Sequence, residues 1–410
     1  MWKIKVQILV FILLGNLAYS QSFGNEWIES DKSYYKLKVV EDGLYRVTAT
    51  ELSNAGVPVA NIVAGRYQLF HKGKEVAIQV FDDNGDGRLD YFDFYGQKND
   101  GQADTDLYKE PEAQPHAYYS LFTDTASYFL TWHLTSSTGK RMSFSSINDP
   151  GGVSPTTYHI DEELVLNTGN YTSGLRYGSG FDIQSGVYDY GEGWVSGNIS
   201  KGNNRTYEFN FDDFDVNGTK PKVELVVHGI SNLSHVTQVS VGPTVTSLRV
   251  VGELSFSERR HQYFSSDIEW SDLSATGDLV VRVTSVGVEG VTDVIAMAYV
   301  KVSYAQEMTI ESGSKKFNIE DSDNARQYVT VSTANATSFR VFDVSNPANV
   351  ARVARITYSD RLEFVFQDST ANKRSFLVTS EVKSVANIVE STISSLNVGA
   401  ADYLIISNRV

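Results

Sequence analysis

Along most of the chain apolar and polar residues alternate with a period of two, and Gly, Asn, Asp or Pro breaks the alternation at short intervals. That period belongs to strands with one buried face. In YYKLKVVEDGLYRVTATELSNAG, Tyr35, Leu37 and Val39 share a face, Asp42 and Gly43 supply a turn, and Leu44 to Val47 returns, which predicts a hairpin. Thr48-Ala49-Thr50-Glu51 then reads as the capping box of a short helix that Gly56 ends. YQLF and VAIQVF on either side of His71-Lys72-Gly73-Lys74 predict a second hairpin, whose second strand runs into FDDNGDGRLDYFDFYG.

After Pro111 and Pro115 another β-like run, AYYSLFTDTASYFLTWHL, precedes a Gly/Ser/Pro-rich stretch at residues 145–157 that marks a boundary. Over residues 158–305 the runs TYEFNF, KVELVVHGI, TSLRVVGEL and DLVVRVTSV are spaced by Gly and Asn turns, the pattern of a β-sandwich. QYVTVST, FRVFDV, LEFVFQD and SFLVTS form a smaller β unit at about residues 306–380. The period then changes. Val385, Ile388, Val389, Ile393 and Leu396 in SVANIVESTISSLN have helical spacing, and Asp402 followed by Tyr403, Leu404, Ile405 and Ile406 reads as the start of a buried parallel strand.

The expected fold class is therefore mainly β: several β-sandwich or β-rich domains in tandem, at residues 21–150, 151–305 and 306–380. The start of an α/β domain follows at residues 381–410. A chain that stops as such a domain begins reads as a truncated piece of a longer protein.

The first twenty residues do not fit this pattern. Lys3 and Lys5, an apolar run from Val6 to Leu14, and small residues at Ala18 and Ser20 form the three parts of a secretory signal peptide, residues 1–20, with cleavage near Ser20. That apolar run is too short to cross a hydrocarbon core, which takes roughly 20 helical residues. No later stretch has a membrane-spanning length.

Composition sharpens the picture. The 23 Tyr, 21 Phe and 31 Gly suit strands and turns. With no Cys at all, the exported chain has no disulfide to stabilise it and no cysteine nucleophile. A formal charge of −15, with no basic cluster longer than Arg259-Arg260-His261, argues against nucleic acid and anionic lipid as partners.

The densest chemistry lies in the loop after the second hairpin. With Asp82 at position one of a calcium loop, Asn84 and Asp86 stand at three and five, and Gly87 takes the sharp turn at six. Arg88 offers its carbonyl at seven, Asp90 stands at nine and Asp93 at twelve. Four carboxylates this close repel by about 1–4 kcal/mol for each pair at ~4 Å, which a hard divalent cation relieves. Asp93 where Glu is usual departs from the pattern, and a solvated Asn-Gly/Asp-Gly turn is the alternative. Calcium with a structural role is the expected cofactor, held by Asp82, Asn84, Asp86, Arg88, Asp90 and Asp93.

Asp213, Asp215, Asn217, Gly218 and Glu224 satisfy the same written pattern, yet Pro221 and Lys220 occupy unsuitable positions and Glu224 alternates with Val223 and Leu225 along a strand. This second match reads as an Asn217-Gly218 hairpin with an outward Glu. His71, His116, His133, His159, His228, His235 and His261 show no metal-ligand spacing, and no GxSxG, GxGxxG or GxxxxGK occurs. Trp194 in DYGEGWVSG suits stacking on a sugar or peptide, or capping a sandwich edge.

Taken together, the signal peptide, YYKLKVVEDGLYRVTATEL with its following Gly56, LFHKGKEVAIQV, DDNGDGRLDYFDFYG, DYGEGW and ADYLIISN resemble the N-terminal region of gingipain-type cysteine peptidases. The nearest resemblance is to their sortase branch in the type IX (Por) secretion system of Bacteroidota. It implies a β-rich region ahead of a caspase-like α/β domain with a His–Cys dyad, whose catalytic residues would lie beyond Val410, so that no residue here is catalytic. It further implies processing of the C-terminal signals of type IX cargo proteins at the outer membrane surface, with attachment-complex proteins and the downstream peptidase domain as partners. This region would act as a scaffold and docking surface. A prodomain-like shield of the peptidase, and a secreted carbohydrate-binding or adhesin module, are the alternatives.

Overall fold

The computed structural model describes residues 26–177, 183–322, 324–367 and 373–391. The signal peptide, Ile393, Leu396 and the expected parallel strand around Tyr403 lie outside these residues. What is described is mainly β: seven sheets, six of them paired face to face around three main cores and the seventh a two-stranded hairpin.

The N-terminal module packs two sheets on each other. In one, the strand order is Ile388–Ser391, Tyr34–Val39, Ala126–Trp132, Tyr67–His71, Lys74–Val76; in the other it is Lys383–Ser384, Gly43–Thr48, Tyr91–Gly96, Ile78–Phe81. Tyr35, Leu37 and Val39 from the first sheet meet Tyr45, Val47, Phe92 and Phe94 from the second in a single buried cluster. This corrects the first expected hairpin. Tyr34–Val39 and Gly43–Thr48 are consecutive, but they belong to opposite sheets. Both apolar faces point at the same core from either side, so the chain turns a corner through Val40, Glu41 and Asp42 where a side-by-side pair was expected.

The second hairpin forms as expected between Tyr67–His71 and Lys74–Val76. Lys72 and Gly73 both have positive φ, +46° and +76°, the backbone that the tightest hairpin turn requires. At Ala77 the strand leaves the first sheet, and Ile78–Phe81 continues in the second. The helix Ala49–Asn54 carries the expected capping box: Glu51 N–H donates to Thr48 Oγ1 at 3.2 Å, and Thr48 N–H donates to Glu51 Oε2 at 2.8 Å.

The helical period at residues 385–391 is overridden. Lys383–Ser384 lies parallel to Tyr45 and Arg46, and Ile388–Ser391 runs antiparallel to Tyr34–Leu37, while Val385 and Ile388 pack on the N-terminal core. An open strand edge with unpaired N–H and C=O groups favours an extended partner, and the β-branched pair Ile388-Val389 fits it well. The chain thus returns to its first module after building the other two.

The central sandwich has Tyr158–Leu166, Val294–Glu307, Lys222–Gly229 and His261–Asp267 in one sheet, and Asn204–Asn210, Asp278–Ser285, Ser234–Thr244 and Ser247–Ser257 in the other. Val223, Leu225 and Val227 face Val239, Val241, Val281 and Val283 across its core. The third module is also two-layered, around Phe317, Val329, Phe364 and Phe376. The stretch at residues 145–157 stitches it together. Ser143–Ser145 adds a parallel strand to Ala351–Val353 in one layer, and Pro155–Thr156 adds one beside Arg326–Ser332 in the other. A small cluster of Leu44, Tyr95, Phe342, Val344, Val350 and Leu377 joins the first module to the third.

Candidate functional site

The acidic loop connects Ile78–Phe81 to Tyr91–Gly96, an adjacent antiparallel pair with Phe81 opposite Tyr91. The rings of Phe81 and Tyr91 stack at 4.4 Å and close the base of the loop. Leu89 is buried as an anchor, and Ala64 N–H donates to Gly87 O at 3.0 Å. Gly85 and Gly87 have φ of +73° and +79°, and a Cβ at either would meet only open space, so strain alone selects glycine there.

Within this frame the side-chain oxygens draw in the loop backbone. Asp82 accepts from Asp86 N–H at 3.0 Å and Gly87 N–H at 2.9 Å, and Asn84 Oδ1 accepts from Asp86 N–H at 2.9 Å. Asp86 accepts from Arg88 N–H at 2.7 Å, and Asp90 from Asp83 N–H at 2.6 Å. A carboxylate has about four lone-pair sites. Each of these side chains therefore keeps acceptor capacity beyond its backbone bonds, and the donor set of carboxylate, amide and carbonyl oxygens suits a hard cation. Among the described residues, no group of three or more His, Asp or Glu side chains is already gathered around a common metal position.

Asp93 stands apart from the other five. It is fully buried, and it takes Arg46 Nε at 2.8 Å on one oxygen and Arg46 Nη2 at 2.9 Å on the other. Arg340 Nη1 from the third module adds a contact at 3.2 Å. Strand alternation explains this: Phe92 and Phe94 point into the core, so Asp93 points to the opposite face, where Arg46 is its cross-strand partner. The Arg46 guanidinium also lies over the Tyr91 ring, 3.8 Å from its centre. Its hydrogen bonds to Asp93 raise its pKa above the ordinary value.

The second formal loop is a turn but not a hairpin. Gly218 N–H donates to Asp215 O at 3.1 Å, yet the flanking strands Asn204–Asn210 and Lys222–Gly229 belong to opposite sheets. Glu224 pairs with Lys301 Nζ at 2.7 Å on the sheet, away from Asp213 and Asp215. Trp194 is half-buried between Tyr171 and Tyr119, at ring distances of 5.3 and 6.5 Å, with its Nε1 enclosed. It caps the hairpin of Asn170–Ser173 and Glu192–Val195, so the exposed stacking platform is not formed.

Two histidine groupings had no signal in the sequence because their members come from distant segments. His235 Nδ1 bonds to Asp293, which also accepts from Ser285 Oγ at 3.0 Å, all within the sandwich interior. Serine, histidine and aspartate meet here, but the hydroxyl donates to the carboxylate, not to the imidazole, and the three are sealed from solvent. This is not a nucleophilic triad.

His116, His228 and His261 gather where the loop 108–118 meets the sandwich. The rings of His228 and His261 are 5.7 Å apart, and His116 packs edge-on to Tyr299 at 5.4 Å. His228 Nδ1 donates to Gly191 O at 3.0 Å, and Gly191 N–H donates to His261 Nδ1 at 3.1 Å. Burial, reinforced by repulsion between the rings, pushes His116 down to about 4 and His228 to about 3. Burial, followed by the neighbouring Arg260, pushes His261 down to about 4. The folded rings are neutral while unfolded ones titrate near ~6.5. As pH falls through that value the unfolded chain takes up protons that the folded chain refuses, so stability is full above ~6.5 and declines toward ~4. The melting temperature should fall over this window, and His228→Phe should flatten part of the slope. Equal slopes in both proteins would contradict the assignment.

No protein-family model and no curated protein matches the chain. Among solved structures, a crystal structure of dimeric latent PorU from Porphyromonas gingivalis aligns with 88% of the chain at a TM-score of 0.58 and 13% identity. The chain spans about a third, 33%, of that structure's length. The CBM36 carbohydrate-binding module in complex with calcium and xylotriose covers 34% of the chain with a TM-score of 0.20 at 12% identity, over 98% of its own length. The xylan-binding module CBM15 covers 36% with a TM-score of 0.24 at 12% identity, over 99% of its own length. At such scores these two carry no weight, whereas the first shows a PorU-like fold. No helix among the described residues is long and apolar enough to cross a membrane.

Proposed function

We propose that this chain is the non-catalytic N-terminal region of a secreted gingipain-like cysteine peptidase, a sortase that processes the C-terminal signals of type IX cargo at the outer membrane surface of a Bacteroidota bacterium. The region serves as scaffold and docking surface for the peptidase domain, cargo and attachment-complex proteins. The observation that carries this reading is the fold likeness to PorU over 88% of the chain. The chain has no Cys, so on this reading the nucleophile of the peptidase lies outside it.

The test adds this chain to the separately expressed downstream domain. A scaffold co-elutes with that domain and leaves its peptide hydrolysis unchanged. Co-elution with inhibition would make the region a shield, and no association would overturn both.

Within this reading the acidic loop is a calcium clip that fixes one end of the N-terminal module. Asp82, Asn84, Asp86, Asp90 and the Arg88 carbonyl would hold the ion, which supplies charge neutralisation and no chemistry. Saturating calcium at about 100 times its dissociation constant adds ~2.7 kcal/mol to a folded state that alone binds it. Chelation with EDTA should lower the melting temperature of this module by roughly 5–10 °C, and Asp86→Ala should abolish the response to calcium. An unchanged melt in both experiments leaves the loop as a turn.

A further inference from the structure

Where the three modules meet, an open cleft of about 830 Å³ lies on the outer face of the sandwich sheet. Leu164 and its cross-strand partner Lys301 form its floor with Tyr263 and Tyr299, and its walls come from the segments around Lys98 and Ala117 and from Ser314, Lys315 and Lys316 of the third module. Ser314–Ile319 ends its sheet: it pairs with Arg374–Thr379, and among the described residues no strand takes its other edge. Adjacent strand residues point to opposite faces, so three consecutive residues on one wall show the strand edge-on. Lys315 agrees with this, since its Nζ turns aside to donate to Thr309 O at 3.2 Å. Asn318 Nδ2 donates to Ile160 O at 3.1 Å and closes the far end, which leaves the backbone of Ser314–Lys316 beside the cleft.

We propose that this cleft binds an extended acidic peptide of a partner protein, added as a short strand to the Ser314–Lys316 edge. An open edge supplies main-chain hydrogen bonds, and the side chains around it supply specificity. The charges set the sign. Lys301 is held by Glu224 at 2.7 Å, Asp100 by Lys72 at 2.9 Å and Glu162 by Lys373 at 3.1 Å, while Asp42 accepts from Lys98 N–H at 3.0 Å and Asp161 from Tyr304 Oη at 3.2 Å. Lys98 of the first module and Lys316 of the third are exposed and have no ion pair among the described residues. A second cleft shares Lys98 and brings in Lys74, which is exposed and unpaired in the same sense. In a chain of formal charge −15, three such ammonium groups around one junction direct an acidic segment there and away from the rest of the surface. Tyr263 and Leu164, 46% and 37% exposed, give the floor apolar contacts for every second side chain of an extended peptide. The cleft would give the docking role a place and a ligand chemistry, and it rests on that role for the partner's presence; the experiment needs neither the peptidase domain nor cargo, so its failure leaves the co-elution test standing.

Fluorescence anisotropy of a labelled Val-Glu-Val-Glu-Val-Glu peptide with the full chain at low ionic strength tests this. The expected result is saturable binding, weakened by added salt and weakened about tenfold or more when Lys98→Glu and Lys316→Glu are combined. Of two peptides N-methylated at alternate residues, one at the Val set and one at the Glu set, one should bind about tenfold more weakly than the other, because only one edge of the peptide meets Ser314–Lys316. No saturable binding, equal binding of the Val-Lys peptide of the same length, equal affinity of the two N-methylated peptides, or unchanged affinity in the charge-reversed variant would overturn the proposal. Binding of oligogalacturonate with none of the peptide would also overturn it and assign the cleft to acidic glycans. Should the variant not fold, the N-methyl comparison uses the parent protein and decides the matter by itself.

Discussion

Asp293→Ala should lower the stability of the central sandwich by about 3–5 kcal/mol, the cost of removing one partner from a fully buried His–carboxylate pair. Both nitrogens of His235 face acceptors: the Asp293 carboxylate at Nδ1, and the carbonyls of Ser231 at 3.1 Å and Glu258 at 3.0 Å at Nε2. The proton between Nδ1 and the carboxylate is held by the pair, and Nε2–H donates to the carbonyls. Without the carboxylate, the ring and Ser285 Oγ lose their shared acceptor in an environment closed to water. His235→Ala has a similar effect for the converse reason. The double mutant should lose much less than the sum of the singles, because the second change removes a group that the first had already left unsatisfied. Thermal unfolding of the three variants checks this, with melting temperatures lower by roughly 10 °C for a unit of this size. Additive losses would show that the two side chains act independently.

The second large effect is at Asp93. Asp93→Ala leaves Arg46 and Arg340 without their common acceptor and removes the charged tie between the first and third modules, for about 2–4 kcal/mol. Both arginines are about a third exposed, at 31% and 29%, so water recovers part of the loss. The readout is cooperativity. In urea the variant should resolve an earlier transition for the N-terminal module that the parent protein merges with the third. The response to calcium should be retained, since the carboxylate faces the guanidinium groups and not the loop. A variant that loses calcium sensitivity and keeps a single transition would restore Asp93 to the twelfth position of the loop.

Asp93 also shows how far the sequence reaches. Loop spacing counts it as a ligand, whereas in the alternating strand it faces and bonds Arg46. Its other partner, Arg340, lies 247 residues away, beyond any local pattern. Period-two alternation put Tyr35, Leu37 and Val39 on one face, and that reading holds. It carries no information on which strand supplies the neighbouring hydrogen bonds, so the corner was read as a hairpin. The same limit applies at Asn217 and Gly218, where the turn is real and the pairing is not. Features closed within a few residues were fully legible, among them the Thr48–Glu51 box and the Lys72-Gly73 turn. The return of residues 383–391 to the first module was not legible, because an open strand edge decided the conformation of a segment with helical spacing.

The arrangement of modules bears on the proposed role. The first and last described strands of the chain pair with each other, so whatever follows residue 391 leaves from a sheet that also contains Tyr34. The N-terminal module is tied to the third by the Asp93 pair and by the Leu44, Tyr95 and Phe342 cluster.

Reading the gene beyond codon 410 tests that account most directly. A scaffold for a cysteine peptidase predicts an in-frame continuation with alternating parallel strands and helices, bearing a His and then a Cys that this chain lacks. A continuation without Cys, or none at all, would contradict it.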